Sequence, residues 1–315
     1  SNDNVDTGDE PPVEPDPIHN VFILEVSDTQ ETWADAAYLA AIPTSHHLSQ
    51  GTPAVLAVQD AGNLSVTTTD LLKRMNPEAA FVLNGDTSVP HAETTEGIAA
   101  NTASEYSLAL VDTLWTQADH IVLASSDDYA GSILAASLAA FLDGPLVFSD
   151  DLSTEALDIL KTDLNAQSIV SVHLDGTGND LAVDHALTSV DDTLNWLKDN
   201  DVQVPYLTVS NPEDRAQGLN QKSSLFAPMY AARRGGLSLP FTLEMPTQVV
   251  PNGAAHPVVD FLQGVYTTLG YHPEYLALVG AHDALPQTRK PSIFNNPEAE
   301  HPVSDLPYGE VDSDP

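Results

Sequence analysis

Cysteine is absent from this 315-residue sequence. Its absence excludes disulfide bonds, thiolate metal ligands and a cysteine nucleophile within the chain. Long apolar runs are also missing, since none approaches the roughly 20 residues that a membrane-spanning helix needs. The sequence therefore predicts no transmembrane segment, and any chemistry must come from side chains other than thiols.

Basic residues are scarce, with 10 Lys and Arg against 46 Asp and Glu, which gives a formal net charge of −36. Charge of this sign repels nucleic-acid phosphates and anionic membrane surfaces, so neither is an expected partner. It is compatible with a salty environment, where screening weakens self-repulsion. Apolar residues still make up 42% of the chain. The sequence should therefore fold, and its length favours two or three domains.

The first 18 residues are acidic, rich in proline and poor in large apolar side chains. This composition predicts a disordered or extended linker. Linkers of this kind commonly tether a secreted domain to a lipid anchor or a membrane. We therefore expect a secreted, periplasmic or cell-surface location, with lipid anchoring as one option.

The clearest structural pattern lies in residues 119–176. Short apolar runs alternate there with helical patterns, one rich in small residues and one with a possible cap at Ser153 or Thr154. The order strand–helix–strand–helix–strand is typical of a parallel sheet covered by helices. The strands are predicted at Ile121–Ala124, Leu146–Phe148 and Ile169–Leu174.

The same order of features recurs on both sides of this stretch. In residues 20–86, Gly51-Thr52-Pro53 stands where Gly144-Pro145 stands in the next copy. A more divergent copy begins near Val204, where Pro228 should kink a helix or mark its start and Pro240 suggests an edge strand. Connecting helices are predicted within 99–118 and 184–199, and no helix or strand is predicted in 286–315.

We therefore predict an α/β fold of three repeated strand-helix-strand-helix-strand units, with parallel sheets covered by helices. The predicted divisions are a linker at 1–18, a first repeat at 19–100, a second repeat with connecting helices at 101–200, a divergent third repeat at 201–285 and an irregular segment at 286–315.

Several of these features together resemble the type 2 cell-wall-binding repeat of bacterial and archaeal surface proteins. They are a strand that ends near Ser27-Asp28, the helix start Trp33-Ala34-Asp35-Ala36, and third strands that end near Gly85, Gly176 and Gly280. The resemblance covers most of residues 20–280. It implies three repeats packed as a pseudo-threefold triangle and noncovalent attachment to cell-wall polymers.

The resemblance implies a non-catalytic envelope-attachment protein whose partner is a cell-envelope polymer or a surface protein. A body with a charge of −36 would repel an anionic polymer unless a cation bridges the two or the few Arg residues cluster. No Gly-x-Ser-x-Gly elbow or other complete catalytic constellation is present, so we lean against an enzyme.

Two alternatives stay open. Residues 275–286, followed by 304–314, look like the beginning of a gingipain-type (caspase-like) cysteine peptidase domain. In that family the catalytic His and Cys lie downstream, so this resemblance implies the non-catalytic N-terminal region of a larger peptidase. The other alternative is a periplasmic small-ligand-binding protein, which would have one deep interdomain cleft.

The candidate ligand-binding residues follow predicted strands or begin helices. Open α/β sheets bind ligands at the carboxyl ends of their strands, although helix capping by Ser and Asp explains the same spacing. Asp35 lies on a small-residue helix face, where an inter-repeat hydrogen bond competes with a polymer contact. The candidates are Ser27, Asp28, Asp35, Ser126, Asp127 and Asp128.

Metal binding has one candidate segment, near the C-terminus. Asp305, Glu310, Asp312 and Asp314 offer oxygen ligands at a spacing that suits Ca²⁺, and a solvated acidic segment explains them equally well. No other cofactor is indicated. Five histidines could in principle bind a transition metal, but their spacing matches no metal-binding motif, so we expect them at the surface. They are His46, His47, His256, His272 and His282.

Overall fold

A computed structural model describes residues 20–25, 32–58, 60, 62–83, 88–176, 181–217, 222–243, 256–280, 284–285, 288–289 and 303–304. Within these residues it contains three parallel sheets and eight α-helices. The predicted α/β fold class with covered parallel sheets is confirmed.

The first unit is a four-stranded parallel sheet with helices between its strands. Its elements are β1 (Asn20–Glu25), α1 (Thr32–Leu48), β2 (Val55–Val58), α2 (Val66–Met75), β3 (Ala79–Leu83) and β4 (Thr94–Ile98), and α3 (Ala103–Leu114) connects it to the next unit. The strand order is β2-β1-β3-β4.

The second unit repeats this arrangement. Its elements are β5 (His120–Ala124), α4 (Tyr129–Phe141), β6 (Leu146–Phe148), α5 (Thr154–Asp163), β7 (Ser168–Val172) and β8 (His185–Leu187), followed by the connecting helix α6 (Val190–Asp199). The strand order is β6-β5-β7-β8, the same as in the first unit.

The third unit has three described strands. Its elements are β9 (Tyr206–Ser210), a 3₁₀ helix (Pro212–Gln217), α7 (Ser223–Ala232), β10 (Leu237–Pro240), α8 (His256–Leu269) and β11 (Tyr275–Val279). The strand order is β10-β9-β11, which places Pro240 in an edge strand as its sequence position predicted.

Local sequence explains why the helices begin where they do. The hydroxyl groups of Ser65, Thr102, Ser153 and Ser189 each accept a hydrogen bond from a backbone N–H in the first turn of the following helix. These bonds satisfy donors that a helix start leaves without partners.

Several details of local structure differ from the prediction. The strands β4 and β8 were not predicted, and β8 precedes the predicted connecting helix, which lies within 184–199 as α6. Pro228 lies inside α7 (Ser223–Ala232) and does not mark the start of the helix. In the C-terminal segment, the two-residue strands β12 (Thr288–Arg289) and β13 (Val303–Ser304) pair antiparallel.

The three units share one core, built around α1, α4 and α7. Each of these central helices contacts the other two. All three helices are rich in alanine, and α4 is buried from Tyr129 to Ala140 apart from Ala130. The opposite faces of the first two sheets pack on smaller, separate cores.

Two buried serines, one on α3 and one on α4, bind edge strands of the second and third sheets. The Ser107 hydroxyl on α3 accepts a hydrogen bond from the backbone N–H of Phe148 in β6 at 3.0 Å. The Ser137 hydroxyl on α4 accepts one from the backbone N–H of Ser238 in β10 at 2.9 Å. Both bonds occupy backbone donors that an edge strand would otherwise leave without partners.

Two glycines allow corresponding close approaches in the second and third units. A Cβ on Gly144 would lie 2.3 Å from the carbonyl oxygen of His120, at the start of β5. A Cβ on Gly236 would lie 2.1 Å from the carbonyl oxygen of Tyr206, at the start of β9. Only glycine fits at either position, which explains why the glycine recurs before the second strand.

Candidate functional site

The best-described candidate site lies at the carboxyl ends of the strands in the second unit. Asp128 caps α4 because its Oδ1 accepts a hydrogen bond from the backbone N–H of Gly131 at 2.8 Å. Its Oδ2 accepts hydrogen bonds from the backbone N–H groups of Leu174 and Asp175, which follow β7. Asp128 therefore joins the start of α4 to the loop after β7, and its buried carboxylate is fixed in place by three backbone donors.

Glycine at position 131 is required by this cap. A Cβ there would lie 2.1 Å from Asp128 Oδ2. The helix start and the position of the carboxylate are therefore specified together by an Asp-x-x-Gly sequence.

The two residues before Asp128 have different surroundings. The backbone N–H of Ser126 donates to both carboxylate oxygens of Asp150, at 3.2 and 3.0 Å, and the Ser125 hydroxyl donates to Asp150 Oδ1 at 2.6 Å. The Asp127 side chain is exposed, and its backbone N–H donates to the Ser125 hydroxyl. The strand-end turn is thus held by Asp150, a residue that the sequence did not single out.

Two further residues join Asp128 at this edge of the sheet. One ligand atom from each of Asp128, His173 and Asp175 lies within 4.8 Å of the others. His173 is 4% exposed and its Nδ1 has no hydrogen-bond partner, whereas Asp175 is exposed. Sequence reasoning missed His173 and Asp175. Their closeness to Asp128 follows from the parallel pairing of β5 with β7, because residues just after neighbouring parallel strands meet at one edge of the sheet.

A second polar cluster lies where the three units meet, near the starts of the central helices. Asp35 on α1 is 1% exposed and accepts hydrogen bonds from Arg215 Nε at 2.9 Å and Lys222 Nζ at 3.2 Å. Lys222 is itself 2% exposed. Buried charges of this kind are tolerated because they are paired, so Asp35 forms an inter-unit ion pair.

The second unit reaches this cluster through Tyr129. The Arg215 guanidinium lies 4.6 Å from the centre of the Tyr129 ring, and the Tyr129 hydroxyl is 2.9 Å from the Ser224 hydroxyl. Burial raises the pKa of Tyr129 well above its usual range. One residue from each of the first two units is therefore bound to the start of α7.

Asp214 completes the cluster from the 3₁₀ helix. It accepts hydrogen bonds from the hydroxyl and, at 2.9 Å, the backbone N–H of Ser224 in the first turn of α7. Burial raises the pKa of Asp214 from 3.8 to about 6, although the bonds from Ser224 and the nearby Lys222 oppose that shift.

A polar cleft of about 190 Å³ lies at the other end of α1 and α4, at the seam between the first two units. The His47 imidazole closes one side, with Nδ1 2.9 Å from Asp143 Oδ1 and its ring stacked on Trp115 at 4.1 Å. The cleft is lined by side-chain amides and carboxylates, which hydrogen-bond well to hydroxyl groups. The lining residues are His47, Gln117, Ala118, Asp119, Leu142, Asp143, Leu164 and Asn165.

Several predicted residues lie outside the described part of the chain: Ser27, Asp28, His282, Asp305, Glu310, Asp312 and Asp314. Of the other histidines, His46 and His47 lie near the end of α1, His256 begins α8, and the His272 ring packs against Tyr266 in the third unit. Among the described side chains, these histidines do not form a cluster with metal-ligand geometry. None of the described helices combines the length and the hydrophobicity of a membrane span.

No protein-family model matches the chain, and no curated protein matches its sequence. Solved structures do match its fold. Cwp8 from Clostridium difficile is 13% identical with a TM-score of 0.59, over 85% of this chain and 46% of that one. Cwp6 from the same organism is 16% identical with a TM-score of 0.55, over 85% of this chain and 42% of that one. This chain thus spans less than half the length of either, and the likeness is one of fold.

Proposed function

We propose that this chain is a non-catalytic envelope-attachment protein, secreted or held at the cell surface, that binds a cell-envelope polymer or a surface protein. The observation that supports it is the fold: three α/β units packed through central helices, which the chain shares with Cwp8 and Cwp6. Both of those are cell-wall proteins. The three-repeat resemblance in the sequence points the same way.

The cleft between the first two units is the proposed contact surface. Asp119 and Asp143 make it acidic, which disfavours direct contact with an anionic polymer. Gln117 and Asn165 add amide groups that can donate to and accept from sugar hydroxyls. We therefore propose a neutral, hydroxyl-rich glycan segment as the ligand, or an anionic polymer bridged by a cation.

A non-catalytic role is proposed also because the buried charges are occupied with one another. Asp35 is paired with Lys222 and Arg215, and Asp214 is bound to Ser224. Groups held this way stabilise the contact between units. They are not placed where a substrate could reach them, since Asp35, Asp214 and Lys222 are all at most 2% exposed.

The test is a pull-down of the folded chain with purified envelope fractions across a salt series, with and without Ca²⁺. We expect saturable binding. Binding that resists salt would indicate a neutral glycan, and binding that needs Ca²⁺ would indicate a cation bridge. Absence of binding in every condition would overturn envelope attachment and favour the peptidase-region or small-ligand alternatives.

A matched pair of variants tests the cleft. Gln117 and Gln263 are both exposed glutamines, but only Gln117 lines the cleft. Gln117→Ala should weaken envelope binding about fivefold, the equivalent of one hydrogen bond worth about 1 kcal/mol. Gln263→Ala on α8 should leave binding unchanged. If the two variants changed envelope binding equally, the cleft would not be the contact surface.

A further inference from the structure

We propose that Asp128, His173 and Asp175 bind a divalent transition-metal ion, with Zn²⁺ as the best-fitting candidate. Their ligand atoms lie within 4.8 Å of one another at the strand ends of the second unit. In a tetrahedral Zn²⁺ site, metal bonds of about 2.0 to 2.2 Å place two ligand atoms roughly 3.4 Å apart. The three ligand atoms are therefore near enough to converge on one ion if the exposed Asp175 moves inward.

His173 is the residue that points to a ligand. It is almost wholly buried, and its Nδ1 has no hydrogen-bond partner. A buried polar atom without a partner costs free energy and is uncommon in native proteins. Metal coordination is a common role for a neutral buried imidazole, and the two nearby carboxylates would supply the remaining protein ligands.

Asp128 is already positioned for this role. Backbone N–H groups of Gly131, Leu174 and Asp175 fix both of its oxygens. A carboxylate has about four acceptor sites, so three such bonds leave one for an ion. Because the donors are backbone atoms of the α4 start and the β7 loop, the carboxylate is held before any ion arrives, just as hydrogen bonds to ligating side chains orient them in metal sites.

The donor set selects the kind of metal. Ca²⁺ and Mg²⁺ prefer oxygen ligands alone, whereas an imidazole nitrogen with two carboxylates suits Zn²⁺ and other first-row transition ions. Three protein ligands leave a coordination position for water or for an oxygen of a bound molecule. A protein with a net charge of −36 also concentrates cations around itself, so any test must separate this site from the general attraction.

The test is titration calorimetry of the intact chain with Zn²⁺ alone, in salt high enough to screen the surface charge. We expect one saturable site. Asp175→Asn should weaken it at least tenfold, and because Asp175 is exposed the variant should still fold. Asp199→Asn on α6 makes the same charge change at another exposed position and should leave the affinity unchanged.

A further readout separates coordination from charge attraction. Co²⁺ in place of Zn²⁺ should give visible absorption bands that Asp175→Asn abolishes and Asp199→Asn retains. Equal Zn²⁺ affinity in the two variants, or displacement of Zn²⁺ by equimolar Ca²⁺, would overturn the proposal. Because no envelope material is present, the result does not depend on the proposed attachment function.

Discussion

The second and third units use the ends of their first strands in different ways. After β5, the charged Asp128 caps α4 and holds the loop after β7. After β9, the buried amide of Asn211 donates hydrogen bonds to the carbonyl oxygens of Leu243 and Ala284, at 2.7 and 2.9 Å. Both side chains join a strand end to loops nearby, but one carries a charge and the other does not.

In the third unit, by contrast, charged side chains lie at the buried contact with the first unit. Lys222, at the start of α7, makes no side-chain cap and reaches Asp35 in the first unit, together with Arg215. The second unit keeps an exposed acid and a buried imidazole at its strand ends. The same backbone frame thus supports a candidate ligand site in one copy and an inter-unit ion pair in another, so function cannot be transferred between repeats by position alone.

The largest expected effect comes from breaking the ion pair of the third unit. Asp35→Asn leaves Lys222 and Arg215 without their carboxylate, and Lys222 is almost wholly buried. Removal of one partner of a buried pair costs about 3–5 kcal/mol. We expect a loss of that size in the free energy of unfolding, measured by denaturant titration.

The control for Asp35 is a partly exposed pair in the second unit. Lys161→Gln removes the 2.7 Å contact with Asp184, and both side chains there are at least 30% exposed. Pairs of this kind contribute roughly 0–1 kcal/mol. If Asp35→Asn cost no more than Lys161→Gln, the buried cluster would not be what holds the third unit to the first.

Asp214 should make the third unit sensitive to acid pH in an unusual direction. Its pKa is raised from 3.8 to about 6, so between those values the folded chain holds a proton that the unfolded chain has lost. Its contribution therefore favours folding below about pH 4 and is lost as the pH rises through 6, by up to about 3 kcal/mol.

Substitution of Asp214 isolates this contribution from those of the other acids. Asp214→Asn does not titrate, so its free energy of unfolding relative to the parent should rise between pH 4 and 7. Denaturant titrations at several pH values would measure the difference. A difference independent of pH would show that Asp214 titrates near its ordinary pKa in the folded protein.

A smaller effect is expected at the two corresponding glycines. Gly144→Ala in the second unit and Gly236→Ala in the third would each press a methyl group against a strand carbonyl oxygen. Overpacking of this kind costs roughly 1–3 kcal/mol. Gly264→Ala in α8, where a Cβ meets nothing within 4 Å, should instead stabilise by up to about 1 kcal/mol.

Melting curves of these three glycine variants provide the measurement. Similar losses for Gly144→Ala and Gly236→Ala would show that both units depend equally on this close approach. A loss for Gly144→Ala alone would show that the third unit tolerates a larger residue at this close approach. Stabilisation by either would contradict the close contact itself.

Sequence reasoning worked best where burial leaves a strong apolar signal. The bounds of β6 were predicted as the structure has them, because this strand is an apolar run between clear breaks. The strands β4 and β8 were missed because they are mostly exposed edge strands with sequences such as Thr-Thr-Glu-Gly-Ile. Such strands are stabilised by backbone pairing with β3 and β7, which side-chain composition does not reveal.

The candidate sites were harder to predict than the fold for a related reason. Asp128 follows a strand and was found by position, whereas His173 lies at the end of an apolar strand and looks like core. Asp35 and Arg215 are 180 residues apart, and only the packing of the third unit against the first brings them together. Contacts of this range depend on how the units close on one another, which local sequence does not encode.

The mutual contact of α1, α4 and α7 has a practical consequence for locating any binding surface. In a linear solenoid a terminal repeat can be removed with the loss of one interface. Here the three helices close on themselves, so deleting any unit uncovers apolar faces on both of the others. If a truncated chain failed to bind, the cause would be this exposed core and not the loss of a binding contact. Single side-chain substitutions are therefore the appropriate way to locate a binding surface.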